Sequence, residues 1–267
     1  MTEPSLQRFE APTVKENPGF EVLYWIGCAG SYDRRAQRVS RAVVKLLQLA
    51  EVNFAILGRE EKCTGDVARR LGDEFVFQEL AQANIATLAQ YKVRKILTHC
   101  PHCFNSFRKD YPQFGGDYDV VHHTQFLLQL LQDGRLRLPS GANPAGGPVT
   151  YHDPCYLARV NGVHAAPRDV LRAILADHAD GSKLREMDRR ETKTFCCGAG
   201  GGRMWVEEDP KQRVSTERAR EALATGAKTV AVGCPFCLTM MTDGVAAQGG
   251  EARVLDVAEL LAERIGL

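Results

Sequence analysis

The 267-residue chain has no excess of charge of either sign: 34 Lys and Arg stand against 33 Asp and Glu, a formal net charge of +1. A balanced surface gives no electrostatic case for nucleic acid or an anionic membrane as partner. No apolar run approaches the roughly eighteen residues of a spanning helix. The first twenty residues (MTEPSLQRFEAPTVKENPGF) lack a basic stretch followed by an apolar one, so they do not read as a secretory signal but as a flexible polar arm. An even cysteine count is also missing. There are nine, which a pure disulfide framework does not explain. The expected compartment is cytoplasmic and reducing, where cysteine serves metal binding or redox chemistry more than structural bridging. Hydrophobic residues at 44% and charged residues at 25% are an ordinary globular mix, long enough for a sizeable core.

The cysteines are patterned. Cys155 ends His152-Asp153-Pro154-Cys155, Cys196 and Cys197 are adjacent, and Cys234 and Cys237 form a CxxC with Pro235 between them. Cys63, Cys100 and Cys103 precede Cys197, Cys234 and Cys237 by one constant offset of 134 residues. Both CxxC pairs have proline after the first cysteine, and both follow a short β-like run, Val93–Thr98 and Lys228–Val232. The same offset aligns Val121–Leu128 with Leu255–Ala262. Cys28 precedes Cys155 by seven residues fewer, a loop's difference. The chain reads as two tandem copies of one module.

Strands and helices alternate along both copies. Val22–Ile26 reads as a strand, Asp33–Leu49 as a helix with Val39, Val43, Leu46 and Leu47 on one face, and Val52–Leu57 as a strand. Asp66–Tyr91 reads as helical, broken at Gly72 with Asp73 capping the second part. A strand at Ile96, a short helix through Tyr111, a strand at Tyr118–Val121 and a helix at Thr124–Leu131 follow. In the second copy the expected elements are a strand at Val149–Tyr151, a helix from Pro167 to about His178, a strand within Lys183–Asp188, and a solvated, charge-alternating helix from about Asp209 to Ala224. A strand at Val230, a helix, a strand at Val254 and a terminal helix complete it. The fold class is α/β: two pseudo-symmetric modules, each a small parallel sheet flanked by helices. The divisions are an arm at 1–20, a first module at 21–134, a Gly- and Pro-rich linker at 135–147 and a second module at 148–267. Every cysteine cluster falls just after a strand or at a helix start, where parallel sheets gather their sites.

Thiolates bind metals, and a helix N-terminus lowers the thiol pKa. Cys234 and Cys237 lie about one turn apart and can chelate together, with Pro235 suited to the first helical turn. Adjacent Cys196 and Cys197 cannot point the same way from a regular element, so they suit two metals or a bridge. The Gly198–Gly202 run has little bulk, so backbone can approach a large inorganic group and donate to its sulfides. With Cys155 these make five sulfurs, one more than a cubane cluster or a tetrahedral zinc needs. In the first copy Lys62 stands where the first vicinal cysteine is expected, leaving Cys28, Cys63, Cys100 and Cys103. Four sulfurs suit a cubane iron–sulfur cluster or a zinc ion equally.

A lone Cys, a Cys-Cys-Gly about forty residues on, and a CxxC some thirty-six further resemble the CCG cysteine-rich domain over about residues 21 to 265. Tandem copies are similar to the B-type catalytic component of heterodisulfide reductase and to iron–sulfur subunits of lactate, glycolate, glycerol-3-phosphate and succinate oxidation. The resemblance implies a noncubane [4Fe–4S] cluster on Cys155, Cys196, Cys197, Cys234 and Cys237, with a second iron–sulfur cluster or zinc on Cys28, Cys63, Cys100 and Cys103. The Lys62-Cys63-Thr64-Gly65-Asp66 variant looks more like the membrane-associated oxidoreductases of this superfamily, in which a ferredoxin-like portion precedes the pair. This chain carries no further closely spaced cysteines. Electrons are therefore expected from a separate ferredoxin-like or flavoprotein subunit, or from another part of the polypeptide.

The function this implies is that of an oxidoreductase subunit exchanging electrons with a disulfide or quinone, associated with membranes only peripherally through a partner. The rivals are a non-catalytic electron relay and a zinc-stabilised structural subunit. Among other residues, His99 and His102 read as solvent-facing or capping, His152 and Asp153 as either a proton relay or a plain turn, and Arg159 and Arg203 as surface ion pairs. Trp25, Trp205 and the stripe Phe126, Leu127, Leu130 and Leu131 read as core.

Overall fold

A computed structural model describes residues 11–139, 145–176, 183–209 and 212–267. In the first module strand β1 (Val22–Trp25) runs into a short helix α1 (Gly27–Tyr32), then α2 (Arg34–Leu49), β2 (Phe54–Ala55), α3 (Asp66–Arg70), α4 (Glu74–Gln90), β3 (Lys95–Thr98), α5 (Pro101–Asn105), β4 (Asp119–His122) and α6 (His123–Gln132). The second module repeats the plan with β5 (Val149–Tyr151), α7 (Cys155–Ala158), α8 (Ala165–Leu175), β6 (Leu184–Arg185), α9 (Val214–Ala224), β7 (Thr229–Val232), α10 (Pro235–Ala247), β8 (Arg253–Asp256) and α11 (Val257–Ile265). Local chemistry sets several boundaries. Asp33 accepts the Ala36 N–H at 2.7 Å and starts α2, whose Val39, Val43, Leu46 and Leu47 are buried. After the break at Gly72, Asp73 accepts the Val76 N–H at 3.1 Å and starts α4.

The strands form two four-stranded parallel sheets, ordered β2-β1-β3-β4 and β6-β5-β7-β8. The registers match as well as the order: Leu23 faces Ile96 and Tyr24 faces Leu97, as Thr150 faces Val230 and Tyr151 faces Ala231. In each sheet the chain leaves the inner first strand to one side and returns on the other. The crevice at the carboxyl ends of β1 and β3, or of β5 and β7, is therefore the switch point where such sheets place ligands. Cys28 and Cys100 follow β1 and β3, and Cys155 and Cys234 follow β5 and β7.

Strand alternation divides the core. Val22, Tyr24, Leu97, Val149, Tyr151 and Ala231 face one cluster shared by both modules, into which α2, α6, α8 and α11 also pack. Leu23, Trp25 and Ile96 face the opposite way, into a cluster holding Cys100 and Cys103. Val230 and Val232 do the same beside Cys197, Cys234 and Cys237. The shared face is reinforced by a double hydrogen bond from Arg35 to Glu259 at 2.6 and 2.7 Å and by His123 Nε2 at 2.8 Å from Asp256 Oδ1.

Some elements differ from expectation. From Ala11 on, the stretch read as an arm packs on the first sheet: Thr13 bridges Ile56 in parallel, and Ala11 and Val14 are buried. Residues 1–10 lie outside the described residues. Leu136 and Ala145, at the ends of the linker region, are buried in the shared cluster. The segment to Tyr111 becomes a π turn at Ser106–Asp110 and a 3-10 turn at Tyr111–Phe114, where Pro112 cannot continue a helix. The helix expected to reach His178 ends at Leu175, and residues 177–182 lie outside the described residues. Helix α9 starts at Val214 rather than Asp209, and its Arg218 is wholly buried rather than solvated.

Candidate metal centres

In the second module the five cysteine sulfurs form one unbroken line of contacts. Cys155 donates its thiol hydrogen to Cys196, and Cys196 also receives one from Cys197. The Cys237 thiol lies 3.3 Å from Cys197 Sγ, and Cys237 in turn contacts Cys234. All nine cysteines of the chain are free. The hydrogen bond from Cys155 pulls Cys196 down to about 2 and pushes Cys155 up. Burial works to raise Cys234, but hydrogen bonds from Cys237 and His102 outweigh it and bring the thiol down to about 5. Cys197 and Cys237 are held up by the hydrogen bonds they give to neighbouring sulfurs. Two thiolates beside three thiols make a donor set that a positive inorganic core would deprotonate throughout. The donors thus fit a sulfur-ligated metal group. The Gly198 N–H reaches Cys196 Sγ at 3.2 Å from a left-handed turn (φ 91°), where a side chain would also press on Val214.

The first site repeats these contacts with one change. Cys28 donates to Cys63 and lowers it to about 6, and the Gly65 N–H reaches Cys63 Sγ at 3.4 Å. Gly65 is left-handed (φ 82°), as Gly198 is. Cys103 hydrogen-bonds Cys100, and the Thr64 hydroxyl lies 3.8 Å from Cys103 Sγ. Cys63 therefore takes the place of Cys196, and Thr64 that of Cys197. The constant cysteine offset puts the gap at Lys62, but Lys62 is exposed and Thr64 holds the vacated contact. The reason is that the left-handed glycine two residues after the cysteine fixes the turn, so glycine and not sulfur sets the register. Sequence also gave no notice of Glu61. Its carboxylate accepts the Ile26 and Gly27 N–H groups at 3.1 and 2.5 Å, holding the turn that carries Cys28, and burial pushes it up to about 8.

Each CxxC sends an inner residue to the other module. His102 lies between Cys100 and Cys103, yet its ring stacks on Tyr156 (centroids 4.4 Å apart) and hydrogen-bonds Cys234. Its Nδ1 lies 2.8 Å from Asp66 Oδ2. Burial works to lower the His102 pKa, but Asp66 and Cys234 raise it well above the usual histidine value, so an imidazolium sits between two anions. Phe236, its counterpart between Cys234 and Cys237, meets His102 edge-on at 5.2 Å and lines the first site's hollow beside Cys28, Cys63 and Cys100. That hollow is narrow. A second, smaller one lies against Gly200, Gly201, Gly202, Met204 and Trp205. Asp66, Val67, His102 and Phe236 line both, so the two hollows share a wall. Neither His99 nor His102 faces solvent as expected; both are buried. That Phe236 is apolar was the one sequence signal that the matching position His102 is buried.

The model of the CCG cysteine-rich domain matches residues 22–108 and again 149–242, one copy on each sheet with its cysteine site. The chain belongs to the CCG cysteine-rich domain family. Relatives include a probable iron-sulfur-binding oxidoreductase, FadF, of Bacillus subtilis, 45% identical over 96% of this chain and 36% of its own length. The EtfAB:quinone oxidoreductase of Syntrophomonas wolfei is 43% identical over 91% of this chain and 34% of its own. The D-type component of the dihydromethanophenazine:CoB–CoM heterodisulfide reductase of Methanosarcina barkeri is 36% identical over 96% of this chain and 62% of its own. The chain thus spans about a third of the first two relatives. The heterodisulfide reductase relatives are D-type components of that enzyme, where the motif by itself resembles the B-type.

In the second CCG module the turn carrying Cys155 is tied down from several sides. Asp153 is gripped by Arg168 through two hydrogen bonds of 2.6 and 2.7 Å, and it accepts the Glu191 N–H at 2.9 Å. Arg168 also holds Glu186. With both oxygens engaged and no exposure, Asp153 is structural and does not relay protons. His152 is buried, and burial together with the Arg218 charge lowers its pKa well below the usual value. Arg203 pairs with Glu208 as expected, whereas Arg159 donates to the Thr194 carbonyl. Trp25 is core, but Trp205 is 61% exposed at the rim of the smaller hollow. Sequence did carry a signal for Arg218: Ser215, Ala219 and Ala222, buried with it, make a small-residue face on which a charged side chain can lie inward. Among the described residues no helix is long and apolar enough to cross a membrane.

Proposed function

We propose that this chain is the electron-exchanging part of an iron–sulfur oxidoreductase subunit in a larger redox complex. Cys155, Cys196, Cys197, Cys234 and Cys237 hold a noncubane [4Fe–4S] cluster, and the observation that carries this reading is the single line of contacts linking those five sulfurs. Bound there, the cluster supplies one-electron steps. The chain's own residues supply the setting. The imidazolium of His102 offsets thiolate charge at Cys234, the Gly198 N–H donates to Cys196, and Phe236 and Met204 keep water away. The substrate is a disulfide or a quinone-type acceptor. Electrons pass between the site and a ferredoxin-like or flavoprotein partner; the EtfAB:quinone oxidoreductase among the relatives favours this arrangement. The protein works in the cytoplasm, and any membrane association is through a partner.

For the first site, Thr64 in the fifth sulfur's place favours a four-sulfur occupant on Cys28, Cys63, Cys100 and Cys103, either a second iron–sulfur cluster or zinc. The test is anaerobic purification with iron, sulfide and zinc analysis and electron paramagnetic resonance, followed by assay of disulfide and quinone reduction with an artificial donor. A brown, iron-rich protein that turns over one acceptor is the expected result. A colourless, zinc-only protein would reject the cluster reading.

A further inference from the structure

His152 occupies the residue after β5, three before Cys155, and its imidazole comes within 4.8 Å of the sulfurs of Cys197 and Cys237. By position and chemistry it is a sixth candidate ligand. Its hydrogen bonds argue otherwise. Arg218 Nε lies 2.9 Å from His152 Nδ1, both groups being wholly buried. A guanidinium only donates, so the Nδ1 lone pair is spent on Arg218 and the proton of the neutral ring sits on Nε2. Neither nitrogen is then free to bind a metal. The pair is fixed from behind, because Arg218 Nη1 donates to the Arg189 carbonyl at 2.9 Å and to Glu221 at 2.7 Å.

What remains is a surplus of donors. Among the described residues His152 Nε2 and Arg218 Nη2 are both buried without a hydrogen-bond partner. An unpaired buried donor costs about 1–3 kcal/mol, so such groups normally mark a missing acceptor. The first module has a parallel. Trp25 stands three residues before Cys28, packs in the cluster that holds Cys100 and Cys103, and its Nε1 is likewise buried without a partner. Indole nitrogen only donates and binds no metal in this form. At matching strand ends, two different rings thus each bury a nitrogen without a partner.

We infer that His152, fixed as the Nε2–H tautomer by Arg218, is not a ligand of the second site but a positioning residue whose N–H donates to a sulfur of the bound inorganic group. This rests on the cluster reading for its acceptor, but the tautomer does not. A donor to cluster sulfur stabilises the reduced, more negative state and so raises the reduction potential.

The test uses the cluster-loaded protein labelled with ¹⁵N-histidine. Pulsed electron paramagnetic resonance of the reduced state is expected to show, besides the coupling of His102 at Cys234, a second weak histidine coupling that disappears in His152→Phe, with iron content unchanged. The midpoint potential is expected to move negative in His152→Phe and to recover in part in His152→Gln, whose amide can still donate. A strong, directly bonded nitrogen coupling, or a potential unmoved by His152→Phe, would overturn the assignment. Should His152→Phe fail to fold, Arg218→Met decides: freeing Nδ1 is expected to move the potential with all five cysteines intact, and no movement counts against the proposal. If the protein carries zinc and no iron, the cluster reading fails, and imidazole ¹⁵N shifts then judge the tautomer alone. A protonated Nδ1 would reject it.

Discussion

The two modules share strand order, register and turn geometry, yet they are not equivalent at three places. The second puts Cys197 where the first puts Thr64, so five sulfurs face four. The first puts His102 between its paired cysteines and the second Phe236, so a charged ring enters the second site and an apolar one borders the first. The first also brings His99, His122 and His123 to the buried boundary where the second brings Gly233, Asp256 and Val257. A duplicated scaffold has thus kept its backbone constraints and diversified the side chains that meet across the pseudo-symmetric boundary. Each site is built partly from the other module, so neither module alone would reproduce it.

The largest effect should come from removing what the second site has and the first lacks. Cys197→Ala is expected to abolish iron binding at the second site and to lower the melting temperature by about 5 °C or more, since bound metal stabilises the folded state. Full iron retention would remove Cys197 from the ligand set. The reciprocal change is Thr64→Cys, which gives the first site a fifth sulfur against Cys103. Its iron-to-zinc ratio is expected to rise, while Lys62→Cys leaves the ratio unchanged; the reverse result would restore the alignment that places the gap at Lys62.

Buried histidines make the fold sensitive to acid. Burial lowers His99 to about 3 and His122 well below its usual value, so the folded chain holds both neutral while the unfolded chain protonates them near 6.5. Their contribution is complete above pH 6.5 and is lost as pH falls toward the folded values, at up to about 1.4 kcal/mol per pH unit for each group. Denaturant midpoints at pH 7.5 and 5.5 measure the slope, and His122→Asn should flatten it; an unaltered slope would assign the acid sensitivity elsewhere. His102→Phe makes the two CxxC motifs alike and leaves buried Asp66 without its 2.8 Å partner, retaining Arg70 at 3.2 Å. A loss of about 1–3 kcal/mol in urea unfolding is expected. The smallest effect tests the backbone alone: Asp73→Ala removes the cap of α4 and should cost about 1 kcal/mol with metal content untouched.

Much of the fold was legible. Short apolar β-like runs and helical patterning gave the elements, the cysteine offset gave the duplication, and the break at Gly72 with its Asp73 cap was readable from chain chemistry alone. The fold class and the convergence of Cys155, Cys196, Cys197, Cys234 and Cys237 followed from placing strand ends at a switch point. The misread features share a cause. Arg218 on a charge-rich helix and His102 between two cysteines both look like surface polar residues. Each is buried because an opposite charge or acceptor from a distant segment meets it, and such a partner leaves no periodic trace. Equal spacing of cysteines puts the gap in the first site at Lys62, but the left-handed glycine that sets the turn puts it at Thr64.

The sequence by itself determined that this is a duplicated parallel α/β protein with nine thiols held in two groups, because periodicity, spacing and repeat are properties of the chain read locally. The tertiary structure decided which residues surround those thiols. It brought His102 to Cys234 and Phe236 to the first site, put Thr64 in the missing sulfur's contact, and set Arg218 against His152. Those pairings depend on how two modules pack against each other, and packing distance between remote segments is written only in three dimensions.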